Sequence, residues 1–226
     1  MDTILPTLPL AARRALGALA AFNPPWNLSG RAALWRWLRR VPRSLEQLDF
    51  VWHGLDRLDE VHDQVVRTLA AAGLDMATLY GDSQRLSLGA RDRESVCLLS
   101  LTAEPGPPLA PPQETRLAGV KVTMAGLREV AAAILCSLHK RPDRQYLENA
   151  GLLIRNGVSL NQGLEDACER NPDLVPQGLG LRLARFEIED PELSELARRR
   201  LRRHQERVVF EILACSVPKS HASWGR

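Results

Sequence analysis

The segment RSLEQLDF, residues 43–50, carries the pattern on which the interpretation of this chain depends. Its second half continues as QLDFVW, residues 47–52, a short apolar and aromatic run between Pro42 and Gly54 that predicts a β-strand. Side chains two residues apart on a strand point to the same face, so Gln47 and Asp49 form a pair there. Two carboxylates in this spacing could hold a divalent ion, but the first position is an amide. The segment therefore predicts a strand with half of a metal-binding motif.

The elements around this strand predict a sheet flanked by helices. Apolar spacing indicates helices over residues 8–22, 31–41 and 58–72. Further strands are predicted for MATLYG (76–81), RLSLGA (85–90) and VCLLSLTA (96–103). The proline-rich segment 104–115 predicts a loop, and TRLAGVKVTM, residues 115–124, predicts one more strand.

From residue 125 onward the apolar pattern is helical throughout. Helices are predicted near residues 125–139, 142–155, 159–170, 176–186 and 191–215. The sequence thus favours an α+β protein with an α/β domain over residues 1–124 and a helical domain over residues 125–226. We expect the helical domain to pack on the α/β domain, because the proline-rich segment falls before the last strand and is not an interdomain tether.

Composition indicates a soluble protein with a sizeable core. The chain has 226 residues, 45% hydrophobic and 25% charged, and its formal net charge of +3 is too small to indicate a nucleic-acid partner by itself. Four widely separated cysteines exclude paired zinc-ligand spacing and a dense disulfide framework. No uninterrupted apolar run reaches the ~20 residues that a membrane span needs, so we expect a cytoplasmic bacterial protein.

The order of these motifs resembles the AbiEii/AbiGii family of nucleotidyltransferase-like toxins, which belongs to the DNA polymerase β-like superfamily. The resemblance covers residues 10 to 190. Family members carry L-x-GG-[ST]-A-L, which LSGRAAL, residues 28–34, matches in part. They continue with R-x-S-E-D-L-D-F, matched by RSLEQLDF at Arg43, Glu46, Leu48, Asp49 and Phe50. Later come DLAAxKL and R-D-x-x-D, whose counterparts are EVAAAIL (129–135) and RQYLE (144–148).

The resemblance implies a fold, a cofactor and a set of site residues. It implies a nucleotidyltransferase-like α/β part with a mixed sheet, in which Gln47 and Asp49 face the start of the helix near Arg31. It assigns Ser29, Gly30 and Arg31 to the nucleotide's phosphates, Asp49 to a metal, and Gln47, Asp49, Arg144 and Glu148 to the catalytic positions. Magnesium and a nucleoside triphosphate would be the cofactor and substrate of an active enzyme.

Several of these positions depart from the family pattern. Arg31 replaces the second glycine, Ala32 the hydroxyl residue and Gln47 the first aspartate. Ile134 stands where a lysine is expected, Gln145 where an acid is expected, and VCLLSLT supplies no third carboxylate. We therefore regard the assigned residues as vestigial, none as confidently catalytic, and expect no cofactor.

Plain structural roles are open for the same residues. Asp49 can be a lone acid bonded to a backbone N–H or an arginine, and Arg144 and Glu148 can form an internal ion pair.

Three functions remain open at this point. The first is a catalytically degenerate nucleotidyltransferase fold that binds a protein partner or regulates it, in a toxin–antitoxin or phage-defence setting. The second is an active metal-dependent toxin that transfers a nucleoside monophosphate to RNA or protein through Asp49, with Arg31 on the phosphates. The third is an RNA-binding adaptor that uses Arg199 and Arg203 in ELARRRLRRHQER, residues 195–207.

Overall fold

The computed structural model describes residues 8–38, 47–188 and 190–215. It divides into two compact units, Met1–Val130 and Ala131–Arg226. The elements that lie wholly in the first unit are α1 (Leu10–Ala20), β1 (Asn27–Ser29), α2 (Gly30–Trp37), β2 (Gln47–His53), a 3-10 turn (Leu58–Glu60), α3 (His62–Ala71), β3 (Asp75–Gly81), β4 (Arg85–Arg91), β5 (Val96–Glu104), β6 (Gln113–Leu117) and β7 (Val120–Met124). The division falls within α4 (Leu127–Lys140), which is followed by α5 (Arg144–Arg155), α6 (Leu160–Arg170), α7 (Pro176–Ala184) and α8 (Glu195–Cys215).

The first unit is built on a seven-stranded sheet in the order β3-β4-β5-β2-β1-β7-β6. Strand β2 runs parallel to β5 and β1 runs parallel to β7, whereas the other neighbours are antiparallel. The sheet is therefore mixed, as the resemblance implies. Alternate residues of the central strands, such as Leu48 and Phe50 on β2 and Leu99 and Leu101 on β5, are buried in a hydrophobic core. Residues of α1 and α3 complete this core. The residues between them form the opposite face, where the side chain of Asp49 lies.

Three segments differ from the elements that the sequence predicts. Strand β1 was not predicted, because its three residues are too few for a period to show. TRLAGVKVTM forms a hairpin, not one strand, and β6 begins inside the predicted loop. Ala118 and Gly119 connect its strands with φ values of 49° and 83°, the left-handed conformations that a two-residue hairpin turn requires.

The strand at one edge of the sheet, β3, contains an irregularity. Its pairing with β4 shifts register between Thr78 and Tyr80, so Leu79 is an extra residue without a partner on β4. This is a β-bulge, which twists and interrupts the ladder locally. A Cβ added at Gly89 of β4 would lie 3.9 Å from Leu79 Cδ1.

The second unit is helical and contains a tight crossing between α5 and α8. A Cβ added at Gly151 would lie 2.0 Å from His204 Nδ1, so only glycine fits beneath this ring. His204 is buried, and burial, followed by the charge of Arg155, lowers its pKa. Beside it, Gln205 Nε2 donates to the carbonyls of Leu183 and Phe186 at 2.6 and 2.8 Å, which satisfies backbone groups at the end of α7.

Among the described residues, no helix combines the length and the apolar character needed to cross a membrane.

The crossing at Gly151 generates a test of core packing. We expect Gly151→Ala to lower the free energy of unfolding by ~1–3 kcal/mol, because the new methyl group must displace a buried imidazole. Gly17→Ala in α1 is the matched control: nothing lies within 4 Å of its added Cβ, so this change should leave stability equal or slightly higher. Urea denaturation followed by circular dichroism measures both, and equal midpoints for the two variants would contradict the packing described.

Candidate functional site

The turn from β1 into α2 places Asp49 against the start of a helix. Ser29 at the end of β1 pairs with Asp49 on β2, and α2 begins at the next residue, Gly30. Gly30 has a φ of +56°, and a Cβ there would lie 2.1 Å from Asp49 Oδ2. Glycine is therefore required both by the backbone conformation and by the close approach of the carboxylate. Asp49 thus lies against the start of α2, as the resemblance of the two sequence motifs implies.

The carboxylate of Asp49 accepts hydrogen bonds from two groups of the protein itself. Gln47 Nε2 donates to Asp49 Oδ1 at 2.7 Å, and the backbone N–H of Arg31 donates to the same carboxylate. Burial raises the pKa of Asp49, and the two hydrogen bonds lower it only in part. Asp49 is therefore bonded to a nearby backbone N–H, which is the structural role that the sequence left open for it.

Strand β5 places a hydroxyl group next to Asp49, and its carboxylate, Glu104, lies at the far end of the strand opposite His53. Ser100 of β5 pairs with Asp49, and Leu98 pairs with Gln47. Ser87 of β4 pairs in turn with Ser100. Ser100 was not predicted as a neighbour of Asp49. Ser100 is the one polar residue in the run LLSL, residues 98–101, which could have drawn attention to it. Only the register between β2 and β5 shows that it lies next to Asp49.

The sheet face beyond Ser100 is apolar and accessible. Val96 and Leu98 on β5 are 56% and 42% exposed, and Leu79 on β3 is 61% exposed. These side chains lie on the side of Asp49 away from α2, so the surroundings of the carboxylate are asymmetric. One side offers helix backbone and an arginine, and the other offers aliphatic surface.

The thiol closest in sequence to this face is not a nucleophile. Cys97 points into the core on the buried side of β5. Burial raises the pKa of Cys97 to about 12, so its sulfur stays protonated near neutral pH. Nucleophilic thiol chemistry at this position is thereby excluded.

Arg31 brings a positive charge to the first turn of α2. Its guanidinium carbon lies 5.5 Å from the centre of the Trp35 ring, one turn further along the same helix. Arg31 Nε is buried and has no hydrogen-bond partner among the described residues. Trp37 Nε1 donates to the carbonyl of Ala125 at 2.9 Å and fixes the end of α2.

A second buried polar group lies on the same face, at the far end of β2. His53 Nε2 is 3.7 Å from Glu129 Oε1, and Glu129 Oε2 accepts the backbone N–H of Leu109 at 2.9 Å. Both side chains are nearly inaccessible, at 6% and 3% exposure. This pair ties the proline-rich segment to the first turn of α4. Nothing in the spacing of the sequence pointed to it.

The remaining predicted residues lie in the second unit or outside the described chain. Arg144 Nε lies 3.0 Å from Glu148 Oε1, and Arg144 Nη1 lies 2.9 Å from Asp190 Oδ2, so the predicted internal ion pair is present. Arg199 and Arg203 lie on α8 and are exposed. Arg43 and Glu46 lie outside the described residues.

The donor set around Asp49 does not fit a divalent-metal site. Among the described residues, two neighbours of Asp49 on this face are an amide, which donates to it from Gln47, and a hydroxyl, which stands opposite it at Ser100 on β5. Neither adds negative charge that would offset the dehydration of magnesium. Across residues 8–38, 47–188 and 190–215, no three His, Cys, Asp or Glu side chains are grouped so that they could hold a metal ion.

Comparison with known proteins shows similarity at the level of structure. No protein-family model matches the sequence, and no curated protein matches it. A candidate nucleotidyltransferase of Helicobacter pylori matches with a TM-score of 0.51 at 16% identity, over 91% of this chain and 92% of that one. MenT4, a nucleotidyltransferase toxin of Mycobacterium tuberculosis, matches with a TM-score of 0.55 at 14% identity, over 91% and 90%.

A third similar structure is ANT(2'')-Ia in complex with adenylyl-2''-tobramycin. It matches with a TM-score of 0.53 at 16% identity, over 72% of this chain and 97% of that one. Identities this low carry the fold and not the activity. The sheet order, the β1–α2 turn and these similarities together show that the chain has a nucleotidyltransferase fold.

Proposed function

We propose that this protein is a nucleotidyltransferase-fold component that has lost nucleotide transfer and acts by binding or regulating a protein partner. The observation that carries the proposal is the hydrogen bond from Gln47 Nε2 to Asp49 Oδ1, 2.7 Å long. In an active site of this fold, residue 47 would be a second carboxylate that shares a cation with Asp49. The amide instead satisfies Asp49 directly, so the pair is complete without a metal.

The neighbouring positions support the same proposal. Phosphoryl transfer depends on several groups that position the phosphates and neutralise their charge together. Ser100 stands beside Asp49 in place of an acid, and Ala32 stands in the helix where the family has a hydroxyl residue. Apolar side chains at Leu98 and Val96 give the adjacent surface the character of a protein contact more than that of a polar substrate pocket.

The biological setting is proposed from the resemblance and from one comparison. MenT4 is a nucleotidyltransferase toxin, and its structure matches this one over 91% of this chain and 90% of MenT4. We place the present chain in a toxin–antitoxin or phage-defence setting in the cytoplasm, where a degenerate copy could engage an active toxin or its antitoxin.

An active enzyme is the competing proposal, and the β1–α2 turn favours it. Asp49 still meets the N-terminus of α2, and Arg31 adds a cation at the place where phosphates bind in nucleotidyltransferases. Such an enzyme would transfer a nucleoside monophosphate to RNA or protein and would need magnesium. The following measurements distinguish the two.

We expect the unmodified protein to bind no nucleoside triphosphate in a magnesium-dependent manner. Isothermal titration calorimetry with ATP, GTP, CTP and UTP, each with and without magnesium chloride, should give the same small heats in both conditions because Asp49 is already satisfied. Asp49→Ala is the control. Saturable magnesium-dependent binding that Asp49→Ala abolishes would support the active enzyme instead.

Restoring the missing acid should not restore transfer. Gln47→Asp recreates two carboxylates on one strand face, and we expect at most weak, millimolar-range magnesium affinity. Gln47→Asn, which is equally short but uncharged, should gain none. Neither variant should incorporate radiolabelled nucleotide into RNA or protein. Labelling by the unmodified chain that is lost in Asp49→Ala would overturn the proposal.

The raised pKa of Asp49 predicts a pH-dependent effect on stability. Because the pKa of the folded state lies above that of the unfolded state, ionised Asp49 opposes folding at neutral pH, and this penalty disappears as pH falls through the folded pKa. Asp49→Asn should therefore raise Tm by a few degrees at pH 8 and by less at pH 4. The exposed Asp56→Asn is the control. Equal gains at both pH values would contradict the role assigned to burial.

A further inference from the structure

Helix α8 carries a basic stripe along its exposed side. The stripe consists of Leu196, Arg199, Arg200, Arg203, Arg207 and Phe210, which at 3.6 residues per turn fall within a sector of about 100° on one side of the helix. All six are exposed, and the apolar residues at its ends, Leu196 at 74% and Phe210 at 71%, are the most accessible large apolar side chains in the described chain. An aromatic ring left this accessible at the end of a row of arginines calls for an explanation.

The buried side of α8 shows whether this helix could lie in a membrane surface. Leu201, Val208 and Ile212 are fully or almost fully buried, and His204 and Gln205 lie with them. The apolar face of the helix is thus already used inside its own unit. A helix that lies in a membrane surface needs that face for the lipid, so the basic stripe is not a membrane-inserting element.

The charges of the stripe are only partly compensated. Arg199 Nε lies 3.0 Å from Glu195 Oε1, and Arg203 Nε donates to the carbonyl of Arg199, so these two side chains are held along the helix. Within the described chain, neither Arg200 nor Arg207 has an ion pair. After burial and Arg155, the charges of Arg200 and Arg207 also lower the pKa of His204. The stripe itself contains no carboxylate.

We propose that the basic stripe of α8 binds single-stranded RNA. Arg199, Arg203 and Arg207 follow one another at one helical turn, ~6 Å apart, and present a row of planar guanidinium groups to successive phosphates. Phe210 lies one turn beyond Arg207 and offers a ring on which an unpaired base stacks. A regularly spaced row of arginines fits the regular phosphates of a single strand, and the ring at its end adds a stacking surface for a base. Unpaired bases in loops and ends are typical of RNA, which favours RNA over duplex DNA.

This inference is independent of the proposed function of the first unit, because it rests on α8 alone. Its closing test uses the full chain and a fluorescein-labelled, unstructured 20-nucleotide RNA, followed by fluorescence anisotropy at several salt concentrations. If each of the four arginines of the stripe neutralises one phosphate of a single strand, log Kobs falls with log salt with a slope of about −3.

Two neighbouring arginines provide a matched pair of variants. Arg203 lies near the middle of the stripe, whereas Arg202 is also exposed but points about 100° away from Arg203 around the helix. Arg203→Glu and Arg202→Glu change the net charge identically. We expect Arg203→Glu to weaken RNA binding at least ~10-fold and Arg202→Glu to change it less than about twofold. Phe210→Ala should weaken it at least ~5-fold. Circular dichroism verifies that each variant is folded.

Several results would overturn the inference. Equal losses in Arg202→Glu and Arg203→Glu would mean general attraction to a cationic protein. An unchanged affinity in Phe210→Ala, together with equal binding to poly-glutamate, would mean a surface for an acidic protein. Equal binding to a 20-base-pair DNA duplex would exclude the stacking role, and tighter binding to vesicles that contain phosphatidylserine would assign the stripe to a lipid surface.

Discussion

The contact between Gly30 and the carboxylate of Asp49 constrains the central part of the first unit. There is no room for a side chain at residue 30, and its backbone is in the left-handed region. The pairing of Ser29 with Asp49 then fixes the register between β1 and β2, and the pairing of β2 with β5 extends that register to Ser100. A glycine that could be interpreted as a phosphate-binding residue is thus required by packing alone, whether or not a nucleotide is bound.

The electrostatics of the site follow from the same contact. A carboxylate held close to a helix backbone is removed from water, and its negative charge must be compensated locally. In a metal-dependent enzyme a cation does this, but the cation in turn needs several acidic ligands. Here the amide of Gln47 and the backbone N–H of Arg31 provide weaker, neutral compensation. The amide at residue 47 therefore changes how the negative charge of Asp49 is compensated, in addition to removing one acidic ligand.

Much of this architecture could be predicted from the sequence, but not the parts that depend on register. Strands β2 to β5 and helices α1 to α8 follow from apolar periodicity, and the closeness of Asp49 to the start of α2 follows from the family resemblance of two motifs. Strand β1 is too short to show a period, and the turn at Ala118 lacks the asparagine or aspartate that usually marks such a hairpin. Strand pairing brings Ser100 next to Asp49, and loop packing brings His53 next to Glu129. Local sequence encodes neither contact.

The two outer strands of the sheet also determine how the molecule behaves in a crowded solution. An outer strand with free N–H and carbonyl groups is a template on which other chains polymerise. On β3 the bulge at Leu79 breaks the straight row of these groups, so an incoming strand can match only part of it. On the opposite side β6 has only five residues, among them Glu114 and Arg116. The same irregularity that leaves a leucine accessible thus disfavours the addition of further strands at this edge.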